Sequence, residues 1–121
     1  PTVTSLADAI AALSFPPHVT ADSPAVADFL AVVPHVHSVR RTGSTALNLA
    51  WLACGRLHTF WARQIACWDG AAGFLIVREA GGCLTPFSGD GDRVPLDDPG
   101  FIAAATPELL VGMQRLLRRD R

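Results

Sequence analysis

Strand-like and helix-like segments alternate along this chain, which predicts an α/β fold: a layered mixed sheet with helices packed on it. Three observations carry that expectation. Short apolar runs of strand length are separated by longer stretches with helical spacing. Each helical stretch opens on a hydroxyl or acidic residue, twice followed by proline, as at Ser23-Pro24 and Thr106-Pro107. Two of them close on glycine, at Gly55 and at Gly81-Gly82.

In order, Leu6 to Phe15 reads as a buried strand that stops at Pro16-Pro17, although its alanines leave a helix open. Asp22-Ser23-Pro24 starts a helix with Val26, Phe29, Leu30 and Val33 as its core stripe, ending at Pro34. Val36 to Arg40 alternates and predicts a short strand. Gly43 or Ser44 opens a second helix that buries Leu47, Leu49, Ala50, Leu52 and Ala53. Leu57 to Trp61 is the next strand, and Asp69 opens a third helix. Cys83 to Phe87 and Phe101 to Ala105 read as strands joined by the polar loop Ser88 to Gly100. A last helix runs from Pro107 to about Arg119, with Leu109, Leu110, Met113, Leu116 and Leu117 inside.

At 121 residues the chain reads as one domain, residues 1–121. Half of it is apolar and only 17% is charged, which calls for a packed core. So little charge also fits a surface normally hidden by a missing half or a partner, beside the plainer reading of a generous core. The net charge of −1 provides no field for nucleic acid or an anionic membrane. No apolar run approaches the roughly 18 residues needed to span a bilayer. All ten basic residues are arginine, and the group Arg115, Arg118, Arg119 and Arg121 reads as a solvated helix end. Cys54, Cys67 and Cys83 lack metal-site spacing and read as small core residues in a reducing, cytoplasmic compartment, with a disulfide pair as the lesser alternative. The first residue is Pro1 and the sole methionine is Met113, so residues upstream are expected to have been removed or left out.

The most informative block is Cys67-Trp68-Asp69-Gly70-Ala71-Ala72-Gly73-Phe74-Leu75-Ile76-Val77. Asp69 is the sole carboxylate between Asp28 and Glu79, and it stands at a helix start before a run of tiny residues. There the positive end of the helix dipole keeps it ionised, as a metal ligand must be, while the small residues admit a ligand or a second backbone. A helix N-cap is the alternative role, and one residue can serve both. A second junction, Arg41-Thr42-Gly43-Ser44-Thr45-Ala46, puts a glycine and hydroxyls before a helix. Free N–H groups there suit an anion, and an ordinary N-cap fits equally.

Together with Arg78-Glu79-Ala80-Gly81-Gly82 and Cys54-Gly55-Arg56-Leu57, these blocks resemble the C-terminal signature of the inositol monophosphatase family. These are Mg²⁺-dependent phosphomonoesterases. The resemblance runs from about Arg40 to the end and implies the C-terminal domain of that fold. It implies Asp69 as a metal ligand, Gly43, Ser44 and Thr45 as contacts to the substrate phosphate, and a homo-oligomer. Seven residues before the aspartate the family carries a glutamate that holds substrate hydroxyls; here the position is Ala62, followed by Arg63. A methyl group accepts no hydrogen bond, which speaks against an inositol substrate. Arg63 is either a grip on a second anionic group or a surface arginine.

The family's N-terminal half supplies a pair of glutamates and an Asp-Pro-x-Asp-Gly-Thr loop, and none of the eleven acids here reproduces either. Asp97-Asp98-Pro99-Gly100 has the wrong order. Asp69 alone holds Mg²⁺ poorly, since the ion demands several oxygen ligands. Glu79, about 15 Å further along the helix, reads as structural.

Other groupings carry less. Ser44 lacks a nucleophile elbow, His35 and His37 share one side of an expected strand, and Asp90-x-Asp92 lacks the later glutamate of a calcium loop. Two functions follow. The first is the C-terminal domain of a Mg²⁺-dependent phosphatase for a small phosphorylated metabolite, inactive without the missing N-terminal half. The second is a non-catalytic module of the same fold that binds a phosphorylated ligand or a partner.

Overall fold

The computed structural model describes residues 3–15, 18–63, 67–87, 94 and 100–117; from 67 to 70 only the backbone is described. Five strands form one mixed sheet: β1 (Ile10–Ser14), β2 (Ser38–Arg40), β3 (Thr59–Ala62), β4 (Cys83–Pro86) and β5 (Phe101–Ala104). Four helices accompany them: α1 (Pro24–Val32), α2 (Thr45–Ala53), α3 (Cys67–Glu79) and α4 (Pro107–Leu117). The strand order is β2-β1-β3-β5-β4. β1 is parallel to both β2 and β3, while β5 lies antiparallel between β3 and β4.

The expected layered α/β architecture is what these elements build. Alternate side chains of each strand feed opposite cores, because the side-chain period of a strand is two. Ala12, Phe60, Ala62, Phe101 and Ala103 join Leu49 and Leu52 of α2 and Phe74 and Val77 of α3. On the other face, Ala11, Leu13, Trp61 and Ile102 meet Val32 of α1 with Met113 and Leu117 of α4. The sheet is thus covered on both sides, α2 and α3 on one, α1 and α4 on the other. That is why its central strands are mostly apolar on both faces rather than alternating.

Helix ends follow the chemistry of their residues. Ser44 caps α2, its Oγ accepting from the Leu47 N–H at 3.1 Å. Thr106 caps α4 in the same way through the Leu109 N–H at 3.3 Å. Gly81 terminates α3 at φ +88°, with Gly82 N–H donating to Val77 O and Gly81 N–H to Arg78 O. This double bond pattern needs a left-handed residue, which glycine adopts without steric penalty.

Several expectations require correction. The segment read as one strand from Leu6 begins instead with a 3-10 turn, Leu6–Asp8, and extends only from Ile10. Leu6 is held there by packing on α4, where a methyl placed on Gly112 would come within 2.8 Å of it. In α1 the buried residues are Ala25, Asp28, Ala31 and Val32, while Leu30 is 61% exposed. The helix is rolled so that Asp28 turns inward. In α2, Asn48 is buried and Leu47 is not. His35 ends a 3-10 turn and His37 precedes β2, both exposed, so the two share no strand. Cys54 is exposed at the end of α2 rather than in the core. Most of the loop 88–99, with Asp90, Asp92 and the Asp97-Asp98 pair, and the arginines beyond Leu117 lie outside the described residues; Val94 is buried in the α2–α3 core.

Candidate functional site

The topology decides where a ligand can meet the chain. β1, β2 and β3 point the same way, and β4 joins them because both it and β3 run against β5. Their carboxyl ends therefore share one edge. The chain leaves β1 through α1 toward β2, and leaves β3 through α3 toward β4, on the opposite face. The crevice between β1 and β3 at that edge is a topological switch point, the usual binding position in open α/β sheets. α2 and α3 follow β2 and β3, so both start at this edge.

The α2–α3 contact brings those two starts to a common level. Gly73 lies so close to Leu49 that a methyl placed on it would be 2.4 Å from Leu49 Cδ1 and 2.9 Å from Leu49 Cβ. Asp69 is the third residue of α3, inside its first turn and one turn before Gly73. The backbone therefore puts it after the helix start instead of at the capping position; its side chain is outside the described residues. Cys67 and Trp68 share that limit.

The turn before α2 is built as a small hydrogen-bonded unit. Thr42 Oγ1 donates to Asn48 Oδ1 at 2.8 Å and accepts from the Ser44 N–H at 3.3 Å. Asn48 is 1% exposed and sits on the core side of α2, so the anchor is fixed from within. Gly43 takes φ +82°, the left-handed region, and no atom lies within 4 Å of where its Cβ would be. The Leu47 and Asn48 amides return to Ser44 Oγ and Ser44 O. Among the described residues the amides of Thr45 and Ala46 have no acceptor. Two unpaired N–H donors at the positive end of a helix can accept an anion. Gly43, Ser44 and Thr45 thus stand together at the sheet edge, beside the start of α3.

Ala62 and Arg63 are placed differently. Ala62 is 1% exposed and packs in the apolar cluster with Phe60, Phe74 and Phe101, so its methyl faces the core. Arg63 forks onto Asp28: Nε donates to Oδ2 and Nη2 to Oδ1, the latter at 3.0 Å. Its guanidinium also lies 4.4 Å from the centre of the Phe87 ring. Arg41, exposed, lies 5.5 Å from the centre of the Phe15 ring. Glu79 is exposed at the far end of α3.

Asn48 and Asp28 are the residues missed in the sequence, and Thr42 stood in the block before α2 without its role as the anchor to Asn48. The available signal was polarity at core-facing positions: an asparagine before Leu49 in α2, and an aspartate inside the apolar run Ala25 to Val33. No group of three His, Cys, Asp or Glu side chains capable of holding a metal occurs among the described residues. By that donor chemistry the described chain does not by itself fit a Mg²⁺ site. No helix among the described residues is long and apolar enough to cross a membrane.

Comparison with known proteins gives a consistent result. An inositol-1-monophosphatase of Rhizobium meliloti is 40% identical over 88 residues, covering 73% of this chain and 32% of that protein. The Nus factor SuhB of Escherichia coli is 44% identical over 81 residues, 67% of this chain and 29% of that protein. The crystal structure of the extragenic suppressor protein suhB from Bartonella henselae superposes with a TM-score of 0.87 at 32% identity, covering 98% of this chain and 45% of that one. The inositol monophosphatase of Anabaena gives 0.84 at 28% identity, covering 98% and 46%. The chain therefore spans about a third of the curated relatives' length and less than half of the solved chains. The profile of the inositol monophosphatase family matches residues 3–119, and the chain belongs to that family.

Proposed function

We propose that this chain is the C-terminal domain of a Mg²⁺-dependent phosphatase acting on a small phosphorylated metabolite, and that it is inactive without an N-terminal half. One observation carries the reading: α2 and α3 start side by side at the carboxyl edge of the parallel strands, one with unpaired amides and the other with Asp69 in its first turn. The amides of Thr45 and Ala46, with the Ser44 hydroxyl, would bind and orient the phosphate. Gly43, with open space above it, would let the phosphate approach the backbone. Asp69 would contribute one carboxylate to a metal cluster whose other acids come from the other half.

An exposed apolar stripe supports a missing partner half. Ala71, Ala72, Leu75 and Ile76 recur on one side of α3, with Leu75 59% and Ile76 48% exposed. An exposed stripe of this kind marks an interaction surface. Homo-oligomerisation and a cytoplasmic location belong to the same proposal.

A second reading is a non-catalytic module that binds a phosphorylated ligand or a partner through the same edge. Its support lies in the sequence, where none of the eleven acids reproduces the glutamate pair or the Asp-Pro-x-Asp-Gly-Thr loop that the family resemblance implies. A phosphate-release assay with Mg²⁺ over sugar, nucleotide, amino-alcohol and inositol phosphates separates the two. The enzyme reading expects background rates from the chain alone and turnover once an N-terminal half is supplied; turnover in neither case leaves the binding module.

A further inference from the structure

We propose that the Asp28–Arg63 pair is a positioning latch across the switch point, which pins the carboxyl end of β3 and thereby steadies the start of α3. Asp28 belongs to α1, the connection that leaves β1 on one face of the sheet. Arg63 is the first residue after β3, on the connection that leaves toward α3 on the other face. The pair therefore joins the two connections that diverge at this edge.

The geometry is that of a fixed joint. Both carboxylate oxygens of Asp28 meet the guanidinium, through Nε and Nη2. Two-point contact sets direction as well as distance, which a lysine at this position would not reproduce. The Asp28 side chain is 0% exposed and the Arg63 side chain 27%. A carboxylate so buried must keep its cation, so the arginine is not free to swing toward a ligand. The Phe87 ring, just past β4, lies against the guanidinium. Phe87 N–H donates to Gly100 O at 2.9 Å, and a methyl on Gly100 would lie 2.5 Å from Arg63 O. The ends of β3 and β4 and the start of β5 thus converge on Arg63. Cys67, the first residue of α3, is only four residues further on.

This arrangement assigns Arg63 a job other than gripping a second anionic group. Its charge is already matched by Asp28. For an assembled enzyme the consequence rests on the reading of Asp69 above: the latch would hold the helical turn that carries it.

Amide hydrogen exchange on this chain tests the latch without any appeal to hydrolysis, so failure of the phosphatase reading would leave the result standing. Arg63→Met alone takes the guanidinium away from a buried carboxylate and can cost the fold. The informative variant is therefore Asp28→Leu/Arg63→Met, which replaces the pair by apolar groups of similar size. The expected result is at least tenfold faster exchange in the first turns of α3, residues 67–74, with the amides of β1 and β5 changed less than threefold. Equal acceleration everywhere, no acceleration in α3, or loss of folding in the double variant would each overturn the proposal.

Discussion

Gly73 of α3 sits against Leu49 of α2 with no room for a single added carbon: its Cβ would be 2.9 Å from Leu49 Cβ and closer still to Leu49 Cδ1. Leu49 is fully buried, so it has nowhere to move. The contact decides how near the two helix starts come to each other, and hence whether Gly43–Thr45 and Asp69 can serve one ligand.

Gly73→Ala is expected to destabilise the chain in spite of alanine's better helix propensity. That propensity is worth about 1 kcal/mol, while overpacking a filled core costs about 1–3 kcal/mol. A net loss of up to about 2 kcal/mol in urea unfolding is expected. A more stable single variant would mean that the helices slide freely past each other.

Ala62→Glu, which would place there the glutamate that the family resemblance implies, is expected to damage the fold rather than alter substrate preference alone. The side chain would enter the cluster of Phe60, Phe74 and Phe101. An unpaired buried carboxylate costs several kcal/mol or stays protonated. Thermal unfolding of the variant is the check: an unchanged midpoint would show that the glutamate reaches solvent or a ligand.

The order of elements was legible because proline, glycine and apolar spacing act locally. Ser44, Thr106 and Gly81 do in three dimensions what their types imply. Asp28 was not legible, because a buried acid is intelligible only with its partner, and Arg63 lies 35 positions away. The same holds for Ala62: its offset from Asp69 suggested a ligand position, whereas pairing with Phe101 across β3 and β5 turns it into the core. The helix starts that carry Gly43–Thr45 and Asp69 were legible one by one. That α2 and α3 start at one edge of the sheet follows from parallel strand order, which a sequence does not spell out.

His58 makes stability depend on pH. Its Nδ1 accepts the Ile10 N–H at 2.9 Å, its backbone N–H donates to Ile10 O, and its backbone carbonyl accepts from the Ala105 N–H. The first of these bonds requires a neutral ring, and burial lowers the pKa below the ordinary 6.5. A group whose folded pKa is depressed binds protons more readily when unfolded. Its stability contribution is therefore complete above pH 6.5 and is lost as the pH falls through the lower folded value. The urea midpoint is expected to drop between pH 7 and about pH 5 in the wild type. His58→Asn, which offers a non-titrating acceptor at similar reach, should flatten that drop; an unchanged slope would assign it to other groups.

The most direct test of the central claim is phosphate release by the enzyme assembled with its N-terminal half, as a function of Mg²⁺ concentration, in the wild type and in Asp69→Asn. Asparagine keeps a polar side chain in the first turn of α3 but lacks the charge that holds a hard cation. The account predicts a large loss of rate, partly recovered at high Mg²⁺, with the unfolding midpoint unchanged. Wild-type rate and Mg²⁺ dependence in Asp69→Asn would contradict it.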